Sequence, residues 1–436
     1  MPESRDVNPR KPIVRPWRSR KRSENHDTAH AAGQEAEIPA NLRVPRGATA
    51  LIDTDAALAE LIGKLRQAGS FAYDTEFIGE LTYIPKLCLI QVATHDLVAL
   101  VDPLAPIDLA PMWDLLCDAS IEKIVHAGEQ DLEIVVRQAK RAPQNVFDTQ
   151  IAAGMVGMAY PVSLSKLVQE LTGAKLGKGL TFTHWDQRPL SSMQLRYAAD
   201  DVRYLPMCRA IIGEKLEKLG HVEWAKLEFA EQCDPEQYQF DPTADFMRVR
   251  GAGGLTPQQL GVLRELTRWR DAAAMAHDVP PRSLVRDEVL LDLSRNPAKS
   301  VEKLSRVRGL PRPVEAAHGA EIVEATRRAL ALPASELPPA VKNNEQTPSE
   351  RFGAEALWAV AQCLCIGQSI DPNLVTSRQE VADLYKHLTT QSGEPDTPLL
   401  KGWRRDAVGR ALVELLRGEG EVSMRWEDGA LRARRS

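Results

Sequence analysis

The feature that most constrains this chain is a change of pattern part-way along it. From residue 50 to about 215, short strand-like apolar runs alternate with runs at the helical period. From residue 255 onward only the helical period remains. An alternating first part folds as layers of helix on sheet, whereas a part without strands must pack helix on helix. Within the first part, Asp53-Thr54-Asp55 precedes an apolar-periodic run from Ala56 to Leu65, a helix with an N-cap. Phe71-Ala72-Tyr73 opens a short strand, and Leu87 to Ala93 and Leu97 to Val101 read as two more. Pro111 to Leu116 reads as helix, Lys123 to His126 as strand, Asp131 to Ala139 as helix, and Val146-Phe147 precedes a further capped helix. The expectation is an α/β domain with a mixed sheet.

The same reading divides the chain. Residues 1–45 look like a disordered arm, basic from Arg10 to Arg22 and then polar, without the apolar core of a secretion signal. Residues 46–215 form the α/β domain, 216–254 a connector, 255–332 a helical unit, 333–349 a polar Pro-rich linker and 350–430 a second helical unit. The two helical units look like copies of one module. Val279-Pro280-Pro281-Arg282 resembles Ile370-Asp371-Pro372-Asn373, and Val307-Arg308-Gly309-Leu310-Pro311-Arg312 resembles Leu400-Lys401-Gly402-Trp403-Arg404-Arg405.

Composition removes several function classes. No apolar run approaches the roughly 18 residues of a membrane span. The net charge of -5 over 436 residues means that a nucleic-acid partner must be met by local basic patches or metal-bridged phosphates. The six cysteines are scattered and lack zinc-site spacing, which fits a reducing cytoplasm. A convincing phosphate-binding glycine loop is missing, which argues against a kinase or dinucleotide enzyme.

The informative residues are acids. Asp74 and Glu76, two apart at the end of a strand, project to one face. Two carboxylates side by side are costly unless a proton or a cation joins them, and hard oxygen ligands favour Mg²⁺ or Mn²⁺. Asp131 opens a helix, and Tyr197 and Asp201 share one helix face. Taken singly, each has a plain alternative: a turn or cap for Asp-Thr-Glu, a dipole-favouring acid for Asp131, chance for Tyr-x-x-x-Asp. Asp148 reads as a helix cap.

In order and flanks, four segments resemble the ribonuclease D family, DEDD exonucleases of the tyrosine subclass. They are Asp74-Thr75-Glu76-Phe77, Tyr83-x-Pro85-x-Leu87-Cys88-Leu89-Ile90-Gln91, His126-Ala127-Gly128-x-x-Asp131 and Tyr197-x-x-x-Asp201. Lys178, Trp185 and Arg188-Pro189-Leu190 extend the resemblance, while Thr183-His184-Trp185 departs from it by placing histidine where many relatives have aspartate. The resemblance implies a ribonuclease H-like exonuclease domain with a mixed sheet, followed by two small all-α domains of the helicase-and-RNase-D C-terminal (HRDC) type. It implies a 3′-to-5′ exoribonuclease that releases nucleoside 5′-monophosphates by a two-metal mechanism. Asp74, Glu76, Asp131 and Asp201 would hold two Mg²⁺ or Mn²⁺ ions, and Tyr197 would orient the attacking water. Phe77, Gln91, His126, Lys178, Trp185 and Arg188 would contact the substrate. The implied partner is RNA with a single-stranded 3′ end, tRNA precursors among them, met by a cytoplasmic monomer. A DNA exonuclease and a non-catalytic RNA-binding scaffold are the alternatives, and the intact set of carboxylates disfavours the scaffold.

Overall fold

The computed structural model describes residues 44–45, 50–177, 183–339, 347–391, 393–427 and 430–435. The N-terminal arm, except for its last two residues, and Lys178 lie outside the described residues.

The first half is a six-stranded mixed sheet with helices, as the alternating pattern requires. In chain order it comprises β1 (Ala50–Ile52), α1 (Asp55–Ala68), β2 (Ser70–Ile78), β3 (Lys86–Ala93), β4 (Val98–Val101), α2 (Ala110–Leu116), β5 (Glu122–Val125), α3 (Glu129–Ala139), β6 (Val146–Asp148), α4 (Thr149–Gly154), α5 (Leu164–Thr172), α6 (Ser192–Arg203) and α7 (Leu205–Leu219). The strands lie in the order β1-β4-β3-β2-β5-β6. β1 runs parallel to β4, β3 antiparallel to β4, and β2, β5 and β6 parallel to one another. β2 therefore sits inside the sheet, and the acidic pair it carries lies on it beyond the residues that pair with β5. Thr54 caps α1, accepting from the Ala57 N–H, and Gly69 closes it at φ 71°, a left-handed position that suits glycine. Ala72, Ala93, Ile124, Val202 and Leu205 make a core cluster between sheet and helices.

Residues 216–254, expected as a connector, are largely ordered. α8 (Val222–Gln232) buries Ala225 and Phe229 in the core beside Phe147, whose ring lies 5.0 Å from that of Phe229. Short 3₁₀ turns follow up to Gly254.

The first helical unit contains α9 (Pro257–Ala276), α10 (Pro281–Leu284), α11 (Asp287–Arg295), α12 (Val301–Leu304) and α13 (Arg312–Leu330). It closes a core of its own around Leu263, Leu266, Leu290 and Ile322. The segment expected as a linker begins by packing back on this unit. Pro338 is buried, a Cβ at Gly261 would meet Leu337 Cδ2 at 3.0 Å, and Arg264 donates to the Glu336 carbonyl. The loop Phe77–Lys86 belongs to this same unit: Tyr83 packs on its core, donates its hydroxyl to Asp271 at 2.9 Å and its N–H to Asp278 at 3.1 Å.

The second helical region contains α14 (Pro348–Gly367), α15 (Pro372–Val375), α16 (Arg378–Thr390), α17 (Gly402–Arg404) and α18 (Arg410–Arg417). It repeats the layout of the first. Thr256 and Thr347 both build capping boxes for 20-residue helices, and Pro281 and Pro372 then open four-residue helices. The two regions thus open with the same order of elements. The last helix of the first unit, α13, is continuous, whereas its counterpart is broken by a π turn at Arg405–Gly409. The region is not helical to its end. β7 (Val422–Glu427) and β8 (Ala430–Arg435) form an antiparallel hairpin, a correction to the all-α expectation. The alternation Val422, Met424, Trp426 supports a strand and is too short to stand out among helices.

This second region does not close a separate core. Leu357, Leu374, Trp403 and Leu412 join Phe147, Ile151, Leu171, Cys208 and Phe229 of the exonuclease domain in one cluster. Gly154 makes the approach possible, since a Cβ there would meet Leu374 Cδ2 at 3.0 Å and Tyr160 Cβ at 3.1 Å. The Asp371 N–H donates to the Gly154 carbonyl at 2.8 Å, and Arg404 grips Glu228 with two hydrogen bonds.

Candidate active site

β2 delivers Asp74 and Glu76, the first turn of α3 delivers Asp131, and α6 delivers Asp201 and Tyr197. The turn before α3 is tightly built. Ala127 adopts φ 55°, and a Cβ at Gly128 would lie 2.6 Å from Val125 Cγ2, so only glycine fits. Asp148 accepts the Ala127 and Gly128 N–H groups and also caps α4 through Gln150 and Ile151, so its structural reading holds. The His-Ala-Gly sequence thus forms the corner that brings α3, and with it Asp131, back to the end of β2.

The four carboxylates share one electrostatic environment, with Asp74 at its centre. Burial pushes Asp74 up to about 6, against a backbone hydrogen bond at Thr75. Burial raises Glu76 to about 9, helped by the charges of Asp74, Asp201 and Asp131. Burial raises Asp201 to about 8, with Asp74 the next cause. Asp131 is held well above the usual carboxylate range by burial and then by Asp74. The charge of Asp74 thus acts on all three partners. Each acid resists ionisation as it stands, which is what four buried like charges do without a compensating cation. Among the described residues no three His, Cys, Asp or Glu side chains converge on a single point, so ligation requires the carboxylates to close in. Four oxygen-donor acids from three elements fit hard divalent ions and not soft ones.

Thr75 is the residue sequence reasoning missed. Its hydroxyl donates to Asp131 in a buried hydrogen bond that ties the α3 acid to the strand bearing Asp74 and Glu76. A threonine between two acids was the available signal. Tyr197 lies one helical turn from Asp201 and is hydrogen-bonded to it. Burial, then the charges of Asp201, Glu76 and Asp74, push its phenol further above its ordinary value.

The expected substrate contacts divide. Phe77 is half-buried beside the acidic pair. Four others are engaged or buried within the protein. His126 spends both ring nitrogens on the protein, with Nδ1 2.9 Å from Thr149 Oγ1 and Nε2 3.1 Å from the Val162 carbonyl. Arg188 makes a two-pronged ion pair with Asp102, both contacts at 2.6 Å, and donates to the carbonyls of Cys88, Trp185 and Gln187. Trp185 is buried, its ring 6.2 Å from that of Tyr197, so it backs the tyrosine. Gln91 is fully buried, and neither of its amide atoms has a partner among the described residues. An arginine already saturated by a carboxylate and three carbonyls has little left to offer a phosphate. Its work is to fix the segment that carries Trp185.

Comparison with known proteins agrees with this architecture. The family model described as 3′-5′ exonuclease matches residues 49–217, and the HRDC domain model matches residues 259–326. The chain is 38% identical over 371 residues to Ribonuclease D of Gluconacetobacter diazotrophicus, covering 84% of this chain and 93% of that protein. The chain belongs to the ribonuclease D family. Ribonuclease D of Granulibacter bethesdensis is 36% identical, with 85% of this chain and 93% of that protein covered. The crystal structure of Escherichia coli RNase D, an exoribonuclease involved in structured RNA processing, superposes with a TM-score of 0.73 at 31% identity, covering 85% of this chain and 99% of that one. As a ribonuclease D, the protein is a hydrolytic 3′-to-5′ exoribonuclease whose substrate is RNA and whose exonuclease domain depends on divalent metal. No helix among the described residues is long and apolar enough to cross a membrane.

Proposed function

We propose that Asp74, Glu76, Asp131 and Asp201 hold two divalent cations, Mg²⁺ or Mn²⁺, and that the enzyme uses them to remove nucleoside 5′-monophosphates from RNA 3′ ends. The observation that carries this reading is the shared environment of the four acids. Each is pushed upward by burial, and Asp74 acts on the other three, so bound cations would relieve the whole set at once. When bound, such ions activate a water and stabilise the leaving 3′-oxygen. Asp74, whose charge acts on the other three acids, would be shared by the bound ions. Thr75 keeps Asp131 in place, and Trp185, itself anchored by Arg188, backs the Tyr197 ring. Tyr197 hydrogen-bonds the attacking water, aiming it at phosphorus. Phe77, next to the acids on β2, stacks on the terminal base. Lys178 supplies a phosphate contact. The second helical region is a divergent HRDC-type copy. The enzyme acts as a cytoplasmic monomer on structured RNA with single-stranded 3′ ends, tRNA precursors among them; the relative from Escherichia coli is described as acting in structured RNA processing.

A degradation assay on matched 5′-labelled RNA and DNA tails tests this, run with Mg²⁺, with Mn²⁺ and with chelator. Laddering of RNA from the 3′ end should need metal. It should fall about a thousandfold or more in Asp74→Ala, a loss of roughly 4 kcal/mol of transition-state stabilisation. Tyr197→Phe should lower turnover while leaving RNA affinity nearly unchanged. Wild-type rates in Asp74→Ala would refute the metal assignment, and preference for the DNA tail would refute the substrate.

A further inference from the structure

The first helical unit carries a polar cluster that the exonuclease chemistry does not use. His277 caps the C-terminus of α9 and is exposed, while His318 lies on α13, which packs along α9. Their Nε2 atoms face each other at 2.9 Å, with the ring planes crossing at 86°. Behind His318, Nδ1 lies 3.0 Å from Glu321 Oε2, and the same oxygen accepts the Trp269 indole N–H at 2.9 Å.

These contacts orient the His318 ring. The two hydrogen bonds, first from His318 and then from Trp269, hold Glu321 below the usual carboxylate range. An ionised carboxylate only accepts, so the His318 proton sits on Nδ1. The ring's other nitrogen, Nε2, faces Nε2 of His277 and is the one left for a metal. A carboxylate behind an imidazole is the arrangement that orients a metal-ligating histidine and raises its basicity. Two nitrogens bound to one tetrahedral Zn²⁺ at ~2.0–2.1 Å stand roughly 3.3–3.4 Å apart, so the two rings, now at hydrogen-bond distance, would part by about half an ångström to admit an ion. Imidazole suits zinc, nickel and copper, whereas the carboxylates of the exonuclease site suit magnesium and manganese.

We propose that His277 and His318 form a second metal site, for a borderline divalent transition ion such as Zn²⁺ or Ni²⁺, with Glu321 as the positioning residue of His318. Among the described residues no third His, Cys, Asp or Glu joins the pair, so water completes the coordination shell. The ion would staple the C-terminal end of α9 to α13. The exposed His277 ring would turn and draw back for both lone pairs to meet one ion.

The test is Ni²⁺ binding to the full-length protein by equilibrium dialysis in excess Mg²⁺, with elemental analysis of the bound metal. The wild type should bind one Ni²⁺ that both His277→Ala and His318→Ala lose. Glu321→Gln should keep the stoichiometry with affinity weaker by ~10–100-fold. Asp74→Asn, which alters the exonuclease site, should leave Ni²⁺ binding intact. Circular dichroism and RNA degradation report folding of the variants, and His277→Ala changes only an exposed position. Equal Ni²⁺ binding in the wild type and both histidine variants would overturn the proposal, as would loss in Asp74→Asn with retention in the histidine variants. A wild type that binds no Ni²⁺ would show the pair to be a hydrogen bond sharing one proton.

Discussion

The two helical regions begin alike and end differently. Each opens with a Thr-Pro capping box, a 20-residue helix and a four-residue helix. The first then folds around its own core and takes in the loop Phe77–Lys86. The second gives its apolar face to the exonuclease domain and shares one continuous core with α4, α5, α7 and α8. A common layout therefore does not fix what a helical module is for. What an amphipathic helix buries against depends on which surface reaches it, and small features decide that: Gly154 admits Leu374, and Glu228 receives Arg404 and Trp403.

The largest effect should come from removing the second region. Truncation before Thr347 strips apolar cover from Phe147, Ile151 and Phe229, and the exonuclease domain should lose cooperative unfolding, protease resistance and activity together. A truncated chain with wild-type Tm and activity would break the contrast between the regions. A finer version uses one leucine on each side. Leu374→Ala and Leu263→Ala both empty buried sites and should each cost ~2–5 kcal/mol. Only Leu374→Ala should lower the temperature at which exonuclease activity is lost; equal effects on that temperature would mean that the cores are coupled.

The regions also differ in their response to pH. In metal-free protein, Asp74, Asp201 and Glu76 titrate at about 6, 8 and 9, above the ~4 of an unfolded carboxylate. The native state then binds more protons than the unfolded one, so these acids contribute stability that is fully present below pH ~4 and lost as pH rises through 6 to 9. Glu321 of the first helical unit shifts downward, so its contribution is present at high pH and lost on acidification. Urea midpoints of chelated protein should therefore fall from pH 6 to pH 9 for the exonuclease unit, and Mg²⁺ should restore them. A midpoint that rises over that range without metal would contradict the assignment of the four acids. The smallest effect is expected from Tyr83→Phe, which removes the hydroxyl contact to Asp271, worth ~1 kcal/mol. It should speed amide exchange across residues 77–86 with little change in Tm, and unaltered exchange would show that the contact does not hold the loop.

Much of this was legible in the residues. The caps at Thr54, Thr256 and Asp148 and the alternation of strands and helices are local properties, so a single chain displays them. The acids were readable because Asp74 and Glu76 share a strand face, Tyr197 and Asp201 share a helix face, and the order of the segments that carry them resembles one family. The helix α8 was not readable as part of the domain, because its apolar residues need Phe147 and the second region to cover them. The substrate contacts were the least readable. An arginine and a histidine flanking a catalytic motif look available in one dimension, whereas Arg188 is spent on Asp102 and His126 on Thr149 and Val162.

By itself, then, the sequence determined most elements of the exonuclease domain, and the order of its motifs marked four carboxylates and a tyrosine. Backbone propensity, capping and periodicity act over a few residues, and the motif order is written along the chain. Only the tertiary structure decided which apolar faces merge into one core and which polar side chains remain for a ligand. Those outcomes depend on partners far apart in sequence, as Arg188 and Asp102 are, because an inward-facing polar group must find a hydrogen-bond partner wherever folding brings one.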